Sequence, residues 1–321
     1  MAQALLFDRD RAEEVDEWEA LVDRLGRKSL LWIDLTDADE NEIDDLSTAL
    51  ELTKESRQRL VSKDDGACFG DFGTYLHVRA YAPSGKHAAD LPAIDCLVSD
   101  HWLVTAHHDG VEVIDTFRRR AAESSGDTGK LDGLDFLATM LEWVLHAYLE
   151  SFDHIEDELA EIDSSLLESP PADPAMRLPQ LVGLRREIKE LRSALVAHRE
   201  LFLALARPEL RAIADTKHAD RFSALQTRLE QTVQSARDCR DSVVGSFDVL
   251  IARTEQRTNE IVKVLTLGSL LFLPGALIAA VLGMNFKVGL FEYESLFWVV
   301  TATILGLMGV VLVAARVRRW I

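Results

Sequence analysis

The hydrophobic and polar positions of this chain divide it into a long, highly charged part and a short apolar end. Near the C-terminus, the segments from Val264 to Met284 and from Leu296 to Ala315 contain no charged side chain. Each has about 20 residues, and a helix of that length rises about 30 Å, enough to cross the hydrocarbon core of a bilayer. The pattern predicts two transmembrane helices, 264–284 and 296–315, joined by an external loop at 285–295 and followed by a basic tail at 316–321.

Residues 1–130 show the short apolar runs that are typical of strands, mixed with helical patterns. Four runs predict strands: Ser29–Leu35, Gly73–Ala82, Ile94–Val98 and His101–Ala106. Thr36-Asp37 indicates a helix start, and the acidic sequence after it predicts a helix to about Leu52. The segment from Gly110 to Ala122 fits another helix. We expect a mixed α/β domain here, and an α+β fold for the chain as a whole.

From Asp135 onward, apolar residues recur three, four or seven positions apart, which is typical of long amphipathic helices. Prolines at 170, 171, 174 and 208 divide the region 131–215 into successive helices, the second from about Leu178 to Ala206. The last helical pattern starts near Thr216 and meets no proline or glycine cluster before the membrane. It predicts one helix over about 216–284, with a cytoplasmic stalk at 216–263 and the first membrane span after it.

One face of this last helix has mostly small or polar residues, and we call it the pore stripe. Its members alternate three and four positions apart: Asn259, Val262, Thr266, Ser269, Leu273, Ala276, Ala280 and Gly283. Small residues also let membrane helices pack closely, and the spacing alone slightly favours such a packing face. Two features favour a pore instead. Polar groups lie along one line, where lipid would leave them unsatisfied, and the stripe ends at Gly283-Met284-Asn285.

Two spans per chain cannot enclose a channel, so a pore requires several copies around a symmetry axis. In such a ring, the Asn285 amides and the last helix carbonyls are expected to form an oxygen-lined mouth. Because Mg²⁺ sheds its water reluctantly, this mouth would contact the hydrated ion. Glu292 and Glu294 in the outer loop would raise the cation concentration at the entrance.

The sequence around the first span resembles the CorA-type divalent cation channels. The resemblance rests on Gly283-Met284-Asn285-Phe286 at the end of the penultimate membrane helix, with a second helix and a basic tail after it. Further similar elements lie upstream: Arg240-Asp241, Phe247-Asp248-Val249, Thr258-Asn259-Glu260, Lys263-Val264-Leu265-Thr266 and Pro274. The resemblance covers about residues 237–321, whereas the N-terminal part agrees in length and in α/β order.

The resemblance implies a homopentamer with a cytoplasmic funnel domain, in which divalent ions move down their electrochemical gradient. It gives Gly283, Met284 and Asn285 the role of a selectivity filter, and Asn259 that of a polar ring at the cytoplasmic end of the pore. It also places four apolar residues on pore positions: Val262, Leu265, Leu273 and Ala276.

Two departures from the magnesium-type members concern regulation and the choice of ion. Many of those members have Tyr-Phe-Arg-Asp-Val in the stalk, where the Asp helps to form a regulatory metal site. This chain has Arg221-Phe222-Ser223-Ala224-Leu225 instead, without that carboxylate. The turn after the signature begins Lys287-Val288-Gly289, where magnesium-type members have acidic and proline residues. The ZntB-type zinc transporters share the signature and vary in this turn, so Zn²⁺ stays an alternative to Mg²⁺, as do Co²⁺ and Ni²⁺.

Charge and composition narrow the classes of partner and site. The formal net charge of −19 at pH 7 disfavours nucleic acid and suits attraction of cations. The three cysteines are scattered without metal-ligand spacing and are expected to be buried thiols. Without a phosphate loop, nucleophile elbow or paired-cysteine motif, the sequence predicts neither an enzyme nor a resident cofactor. His154, Asp157 and Glu158 form a candidate cytoplasmic metal site on one helix, although a solvated acidic face is the more common explanation.

Basic residues on both flanks of the spans predict the orientation. Lys263 and two arginines precede the first span, and Arg316, Arg318 and Arg319 follow the second, which puts both termini in the cytoplasm. The sequence therefore predicts a multi-pass protein of the cytoplasmic (inner) membrane, a homopentamer in the lipid bilayer that conducts divalent cations. The alternative from another class is a membrane-anchored metal sensor whose stalk transmits a signal without conduction.

Overall fold

A seven-stranded sheet with helices on both faces forms the N-terminal part of the structure. A computed structural model describes residues 2–8, 11–15, 18–22, 25, 29–62, 66–83, 91–108, 111–123, 132–168, 176–207, 216–284 and 295–318. The strands are β1 (Ala2–Asp8), β2 (Arg11–Glu14), β3 (Ser29–Thr36), β4 (Cys68–Asp71), β5 (Leu76–Tyr81), β6 (Ala93–Val98) and β7 (Trp102–His107). The helices are α1 (Glu19–Val22), α2 (Glu40–Ala49), α3 (Lys54–Val61), α4 (Glu112–Glu123), α5 (Gly133–Leu167), α6 (Leu178–Ala197), α7 (Arg199–Leu205), α8 (Thr216–Leu282) and α9 (Ser295–Val317).

The sheet is antiparallel except at one pair of strands. Its order is β2-β1-β3-β7-β6-β5-β4. Strands β3 and β7 run parallel, with Leu31 opposite Trp102 and Thr36 opposite His107. Their carboxyl ends therefore meet at the same edge of the sheet.

Alternation along β3 supplies both hydrophobic layers. Successive side chains of a strand point to opposite faces. On one face Leu31, Ile33 and Leu35 are buried in a core that includes Leu46 on α2 and Leu50 directly after it. On the other face the rings of Trp32 and Phe136, the latter on α5, lie 5.2 Å apart in an edge-to-face arrangement. The expected α+β fold is thus confirmed, with α5 packed directly on the sheet.

The buried face of the sheet toward α3 also contains a fully paired polar cluster. Ser56 on α3 lies 2.7 Å from His77 Nδ1, and His77 Nε2 lies 2.9 Å from Asp95 Oδ1. Arg79 donates to both oxygens of Asp95 at 2.8 Å. Although the order Ser-His-Asp resembles a hydrolase triad, all four side chains are buried. The cluster therefore links α3 to strands β5 and β6, and the Ser56 and His77 side chains are fully buried within it.

Several predicted boundaries in the N-terminal part are wrong. Helix α2, the predicted acidic helix, begins after Asp39 and not at Thr36-Asp37. The Asp39 carboxylate caps it in a reciprocal capping box with Glu42. Asp37 instead has a φ of 49°, in the left-handed region. The acidic helix ends at Ala49, and a separate helix, α3, follows. The sequence analysis gives no signal for three strands: β2 and β4 have only four residues each, and β1 lacks the alternation of apolar and polar residues.

Helix α8 is continuous over 67 residues, so the predicted single helix from the stalk into the first apolar segment is confirmed. At 1.5 Å per residue it is about 100 Å long. Pro274 lies inside it, where the missing N–H leaves one backbone carbonyl without its helical partner. A helix of about 100 Å is longer than a typical domain is wide, so we expect α8 to take part in more than one compact unit.

Two compact units divide the chain, and α8 contributes to both. The N-terminal unit comprises residues 1–168 and 176–247, and the C-terminal unit comprises 169–175 and 248–321. The N-terminal unit contains the sheet together with α5 to α7 and the first part of α8. Residue 130, the expected boundary, therefore lies inside the N-terminal unit, at the point where the chain changes from mixed strands and helices to helices alone.

The long predicted helix 178–206 divides into α6 and α7 at His198, which is buried against β5. His198 Nε2 accepts a hydrogen bond from the Tyr81 N–H at 2.8 Å, and Nδ1 lies 2.7 Å from the Ala194 carbonyl. A carbonyl only accepts, so Nδ1 carries the proton and the ring is neutral. Burial lowers the pKa of His198 to about 4 from its usual 6.5.

We predict that His198 makes the N-terminal unit sensitive to acid. Between pH 6.5 and pH 4 the unfolded chain binds a proton at this residue and the folded chain does not, so its contribution to stability is complete above pH 6.5 and is lost as the pH falls toward 4. The loss between pH 7 and pH 5 should be about 2 kcal/mol. Urea unfolding of His198→Gln, followed by tryptophan fluorescence, should show a smaller acid destabilisation than the wild-type chain. Exposed His146→Gln is the control, and identical pH profiles for wild type and His198→Gln would contradict the prediction.

Candidate functional site

The pore stripe lies on the surface of α8 in the C-terminal unit. All of its members are exposed except Thr266, which is half-buried. Leu265, the additional pore-lining residue, is 70% exposed. The Ser269 hydroxyl donates to the Leu265 carbonyl at 2.9 Å, so it is satisfied within the helix. Within this chain, the stripe is therefore available to solvent or to another copy.

The second apolar helix approaches α8 on a different face. Apart from Thr266 and Gly268, the half-buried residues of α8 in this region recur at helical spacing on one face: Leu267, Leu271, Pro274, Gly275, Ile278 and Leu282. A Cβ added to Gly275 would lie 3.0 Å from Ile304 on α9, so the missing side chain permits a close approach. At 3.6 residues per turn, this face lies roughly opposite the pore stripe. The small residues of the stripe are thus not used for packing against α9.

Length and composition also fit membrane spans. Among the described residues, α8 and α9 are the helices that contain an apolar window long enough to cross a bilayer, and almost none of either window is buried inside the chain. A core helix of a soluble protein would be mostly buried. The exposed apolar side chains therefore need lipid or other copies of the chain as their surroundings.

The end of α8 carries the signature residues only in part within the described structure. Gly283 N–H donates to the Ala279 carbonyl at 2.9 Å, and Met284 N–H to the Val281 carbonyl at 3.3 Å. Both bonds close the last turn of the helix. Asn285, Glu292 and Glu294 lie outside the described residues, so the expected mouth and its acidic surroundings stay predictions.

A polar ladder fixes the register of α8 against α5 in the N-terminal unit. His218 contacts Asp132 at 2.9 Å, Arg221 contacts Asp135 at 2.8 Å, and Arg228 contacts Glu142 at 2.7 Å. Each pair is separated by 86 positions in the sequence. Equal separations mean that the two helices run parallel and in step, so each turn of α8 meets one turn of α5.

The rungs of this ladder differ in burial. Asp135 has 1% of its side chain exposed, and Arg221 bridges it to the Thr139 hydroxyl at 2.6 Å. Glu142 and Arg228 are both more than a third exposed. A charge buried without its partner is costly, whereas an exposed pair contributes little. The Arg221 rung should therefore dominate the ladder energetically.

The candidate metal residues on α5 are placed only partly together. His154 Nε2 lies 3.3 Å from Glu158 Oε1, and both side chains are about one-third exposed. In the part of the chain that the structure describes, three potential ligand atoms converge at Asp132, Asp135 and His218 instead. There Arg221 already occupies Asp135, and Asp132 caps α5 through the Asp135 N–H at 2.9 Å. The metal site at His154, Asp157 and Glu158 remains a prediction.

Two of the three cysteines are buried in the N-terminal unit. Cys239 on α8 is buried, and burial together with the charges of Glu156, Asp153 and Glu187 raises the pKa of its thiol to about 12. Burial also raises the pKa of Cys96. Both thiols are thus protonated at neutral pH, as expected for buried cysteines, whereas Cys68 is half-buried.

The ladder and the polar cluster under α3 are not predictable from hydrophobic spacing or from sequence motifs. The only signal for the ladder is a repeated separation between acidic residues of one helix and basic residues of another. Such a pattern acquires meaning only once the two helices are known to be parallel neighbours. In the sequence, the segment that begins at Arg221 stands out because it lacks a carboxylate. Nothing in the sequence indicates the contact of Arg221 with Asp135.

Comparison with known proteins places the whole chain in one structural group. A model of the CorA-like Mg²⁺ transporter protein family matches residues 27–319. The cobalt/magnesium transport protein CorA of Methanocaldococcus jannaschii is 21% identical, over 91% of this chain and 92% of its own length. The protein of the same name from Thermotoga maritima is 26% identical over 63% of this chain, and the alignment spans 56% of that relative.

Solved structures agree in fold. The complete structure of the CorA magnesium transporter from Methanocaldococcus jannaschii matches with a TM-score of 0.81 at 20% identity, covering 100% of this chain and 99% of its own. The ZntB cytoplasmic domain from Vibrio parahaemolyticus matches with a TM-score of 0.57 at 13% identity, covering 79% of this chain and 98% of its own. The long helix and the C-terminal apolar helix are thus shared with a complete transporter structure.

We predict unequal effects for the two arginines of the ladder. Arg221→Ala leaves the buried Asp135 carboxylate without its guanidinium and should lower the free energy of unfolding by about 3 kcal/mol. Arg228→Ala removes a partly exposed pair and should cost less than about 1 kcal/mol. Urea unfolding of both variants in detergent measures the difference. Equal losses would show that burial of Asp135 does not govern the ladder.

Proposed function

Because the chain belongs to the CorA-like Mg²⁺ transporter family, we propose that it is a homopentameric channel for divalent cations in the cytoplasmic membrane. The family consists of transporters rather than enzymes. Its relatives from Methanocaldococcus jannaschii and Thermotoga maritima are named for cobalt and magnesium transport. Mg²⁺ is accordingly our first choice of ion, with Co²⁺ as the second.

The observation that carries this proposal is the position of the pore stripe relative to α9. If the small residues served to pack the two helices of one chain, they would face α9. They lie on the opposite side and are exposed. Two apolar helices per chain do not enclose a pore, so the stripe gains a function when several copies place it around one axis. Five copies is the number that the family resemblance implies.

In this assembly the stripe lines a water-filled path with few charges. Ser269 and Thr266 supply hydroxyl oxygens, and Ala276, Ala280 and Gly283 leave room for an ion that keeps its water. Leu265, Leu273 and Val262 form apolar constrictions, which can close a pore by excluding water. Asn259 supplies an amide at the cytoplasmic end.

The mouth of this path is assigned to Gly283, Met284 and Asn285. Mg²⁺ holds its hydration shell tightly, so backbone carbonyls and the Asn285 amide would accept hydrogen bonds from coordinated water rather than bind the bare ion. Gly283 has no side chain that could project into the path at the helix end, and a Cβ there would lie 3.3 Å from the Ala279 carbonyl of its own last turn. Glu292 and Glu294 would concentrate cations outside this mouth.

The charge of the flanking segments supports an orientation with both termini in the cytoplasm. Lys263 and Arg316 mark the inner ends of the two spans, and the outer loop has two carboxylates against one lysine. The acidic N-terminal unit would then face cytoplasmic cations. His154, Asp157 and Glu158 would be among the carboxylates and imidazoles that meet them.

We predict that a bulky residue blocks the path only when it lies on the stripe. Ala276→Phe should reduce divalent cation flux at least tenfold, because five phenyl rings would fill the axis. Val281→Phe introduces the same side chain on an exposed face outside the stripe and should leave flux within about twofold. Both variants are reconstituted in liposomes that contain a metal-sensitive dye. Equal block by the two variants, or by neither, would indicate that the stripe does not line the path.

We predict that Asn285→Ala abolishes most divalent flux while the protein still assembles. The substitution removes five amide groups that would contact the hydrated ion, and size-exclusion chromatography with light scattering checks the assembly. Competition among Mg²⁺, Co²⁺ and Zn²⁺ in the same assay ranks the ions. If wild-type liposomes take up no divalent ion, the transport proposal fails and the alternative of a non-conducting sensor gains support.

A further inference from the structure

The two apolar helices of the C-terminal unit meet along one face of each. On α9, the described side chains that are not exposed recur at helical spacing: Val300, Thr301, Ile304, Met308, Val311 and Ala315. Ile304 lies against Gly275, which belongs to the half-buried face of α8. We call this pair of faces the α8–α9 seam. Helix α9 thus contacts α8 on the side away from the pore stripe.

Gly275 is a point of the α8–α9 seam that has no room for a side chain. A Cβ there would lie 3.0 Å from Cγ2 of Ile304, closer than ordinary van der Waals contact. By contrast, a Cβ at Gly268, Gly306 or Gly309 would meet nothing within 4 Å. Glycine weakens a helix relative to alanine. The contact with Ile304 is therefore the physical reason for a glycine at position 275.

The backbone of α8 is weakened at the same point. Pro274 directly precedes Gly275 and lacks the N–H that would bond to the Leu270 carbonyl, so one helical hydrogen bond is missing beside the seam. The glycine that follows adds backbone freedom. Sharp bends of helices occur at prolines for this reason. Pressure on Gly275 is therefore expected to bend α8 at Pro274 rather than to displace the whole helix.

The seam and the pore stripe lie on roughly opposite sides of α8. A push from α9 on Gly275 therefore moves the stripe away from α9, toward the axis of the proposed path. The part of the stripe beyond Pro274, residues 276–283, moves in such a bend, whereas Thr266 and Ser269 lie before it. We infer that Gly275 is a positioning residue, whose contact with Ile304 sets how far this outer part of the stripe projects toward the axis. The inference rests on the proposed function.

A steric substitution and its rescue test this role in the full chain, reconstituted in liposomes with a metal-sensitive dye. In Gly275→Val the added side chain pushes against Ile304 and narrows the outer part of the path, so Mg²⁺ flux should fall at least about fivefold. Ile304→Ala in the same chain removes the opposing methyl groups and should restore flux to within about twofold of wild type. Gly306→Val introduces the same side chain into open space on α9 and should leave flux unchanged.

Thiol labelling separates positioning from a general loss of structure. In a chain with Cys68→Ser, we expect Gly275→Val to slow the reaction of Ala280→Cys with a charged methanethiosulfonate reagent at least about fivefold, because residue 280 lies beyond the bend. Ser269→Cys lies before the bend and should keep its rate within about twofold. Size-exclusion chromatography with light scattering checks that the variants assemble. A merely unfolded variant would change both rates together.

Several results would overturn the inference: wild-type flux in assembled Gly275→Val, no rescue by Ile304→Ala, or equal slowing at residues 269 and 280. If Gly275→Val does not assemble, Gly275→Ala takes its place, since its Cβ requires Ile304 to give way by only a few tenths of an ångström, and a smaller effect in the same direction is expected. Lack of flux in the wild-type protein would contradict the proposed function instead. The labelling comparison needs no flux, so it still tests the role of Gly275 in that case.

Discussion

The requirement that one helix be stable in two different solvents governs the structure of this chain. In the N-terminal unit, α8 buries Phe222, Leu225, Leu229 and Val233 at helical spacing against its neighbours. From Val264 onward it has no charged side chain for about 20 residues, as a bilayer requires. A single helix meets both conditions because all of its backbone groups, apart from the ends and the carbonyl freed by Pro274, are paired within it. The side chains of α8 then decide which part of the helix is buried in the N-terminal unit and which part is exposed in the C-terminal unit.

The two parts of α8 use opposite kinds of specificity. In the N-terminal unit, ion pairs such as Arg221–Asp135 select one register from the several that an apolar stripe permits. In the C-terminal unit, size provides the selection between α8 and α9: Gly275 admits Ile304, while Ala276 and Ser269 stay on the free side. An uncharged, narrow free face is suited to a path for hydrated cations, and it becomes a closed path only in an assembly.

The large-scale pattern could be predicted from sequence because it depends on periodicity. The strands around Ile33 and Val104, the continuous α8 and the apolar α9 all follow from hydrophobic spacing. Strand β2 could not, since edge strands such as Arg11–Glu14 carry the charges that protect them from aggregation. The division of the helix at His198 has no glycine or proline signal and depends on the Tyr81 N–H of a distant strand. The spacing of small and polar residues predicts the pore stripe, but only the structure shows that the stripe faces away from α9.

The exposure of the stripe to water in the assembled protein is the central claim, and thiol labelling measures it most directly. Cys96 and Cys239 are buried with raised thiol pKa, so replacement of the half-buried Cys68 by serine gives an unreactive background. In reconstituted protein, we expect Ser269→Cys to react rapidly with a charged methanethiosulfonate reagent. Leu270→Cys, on an exposed apolar face of the same helix outside the stripe, should be protected by lipid. Protection of residue 269 together with reaction at residue 270 would contradict the account.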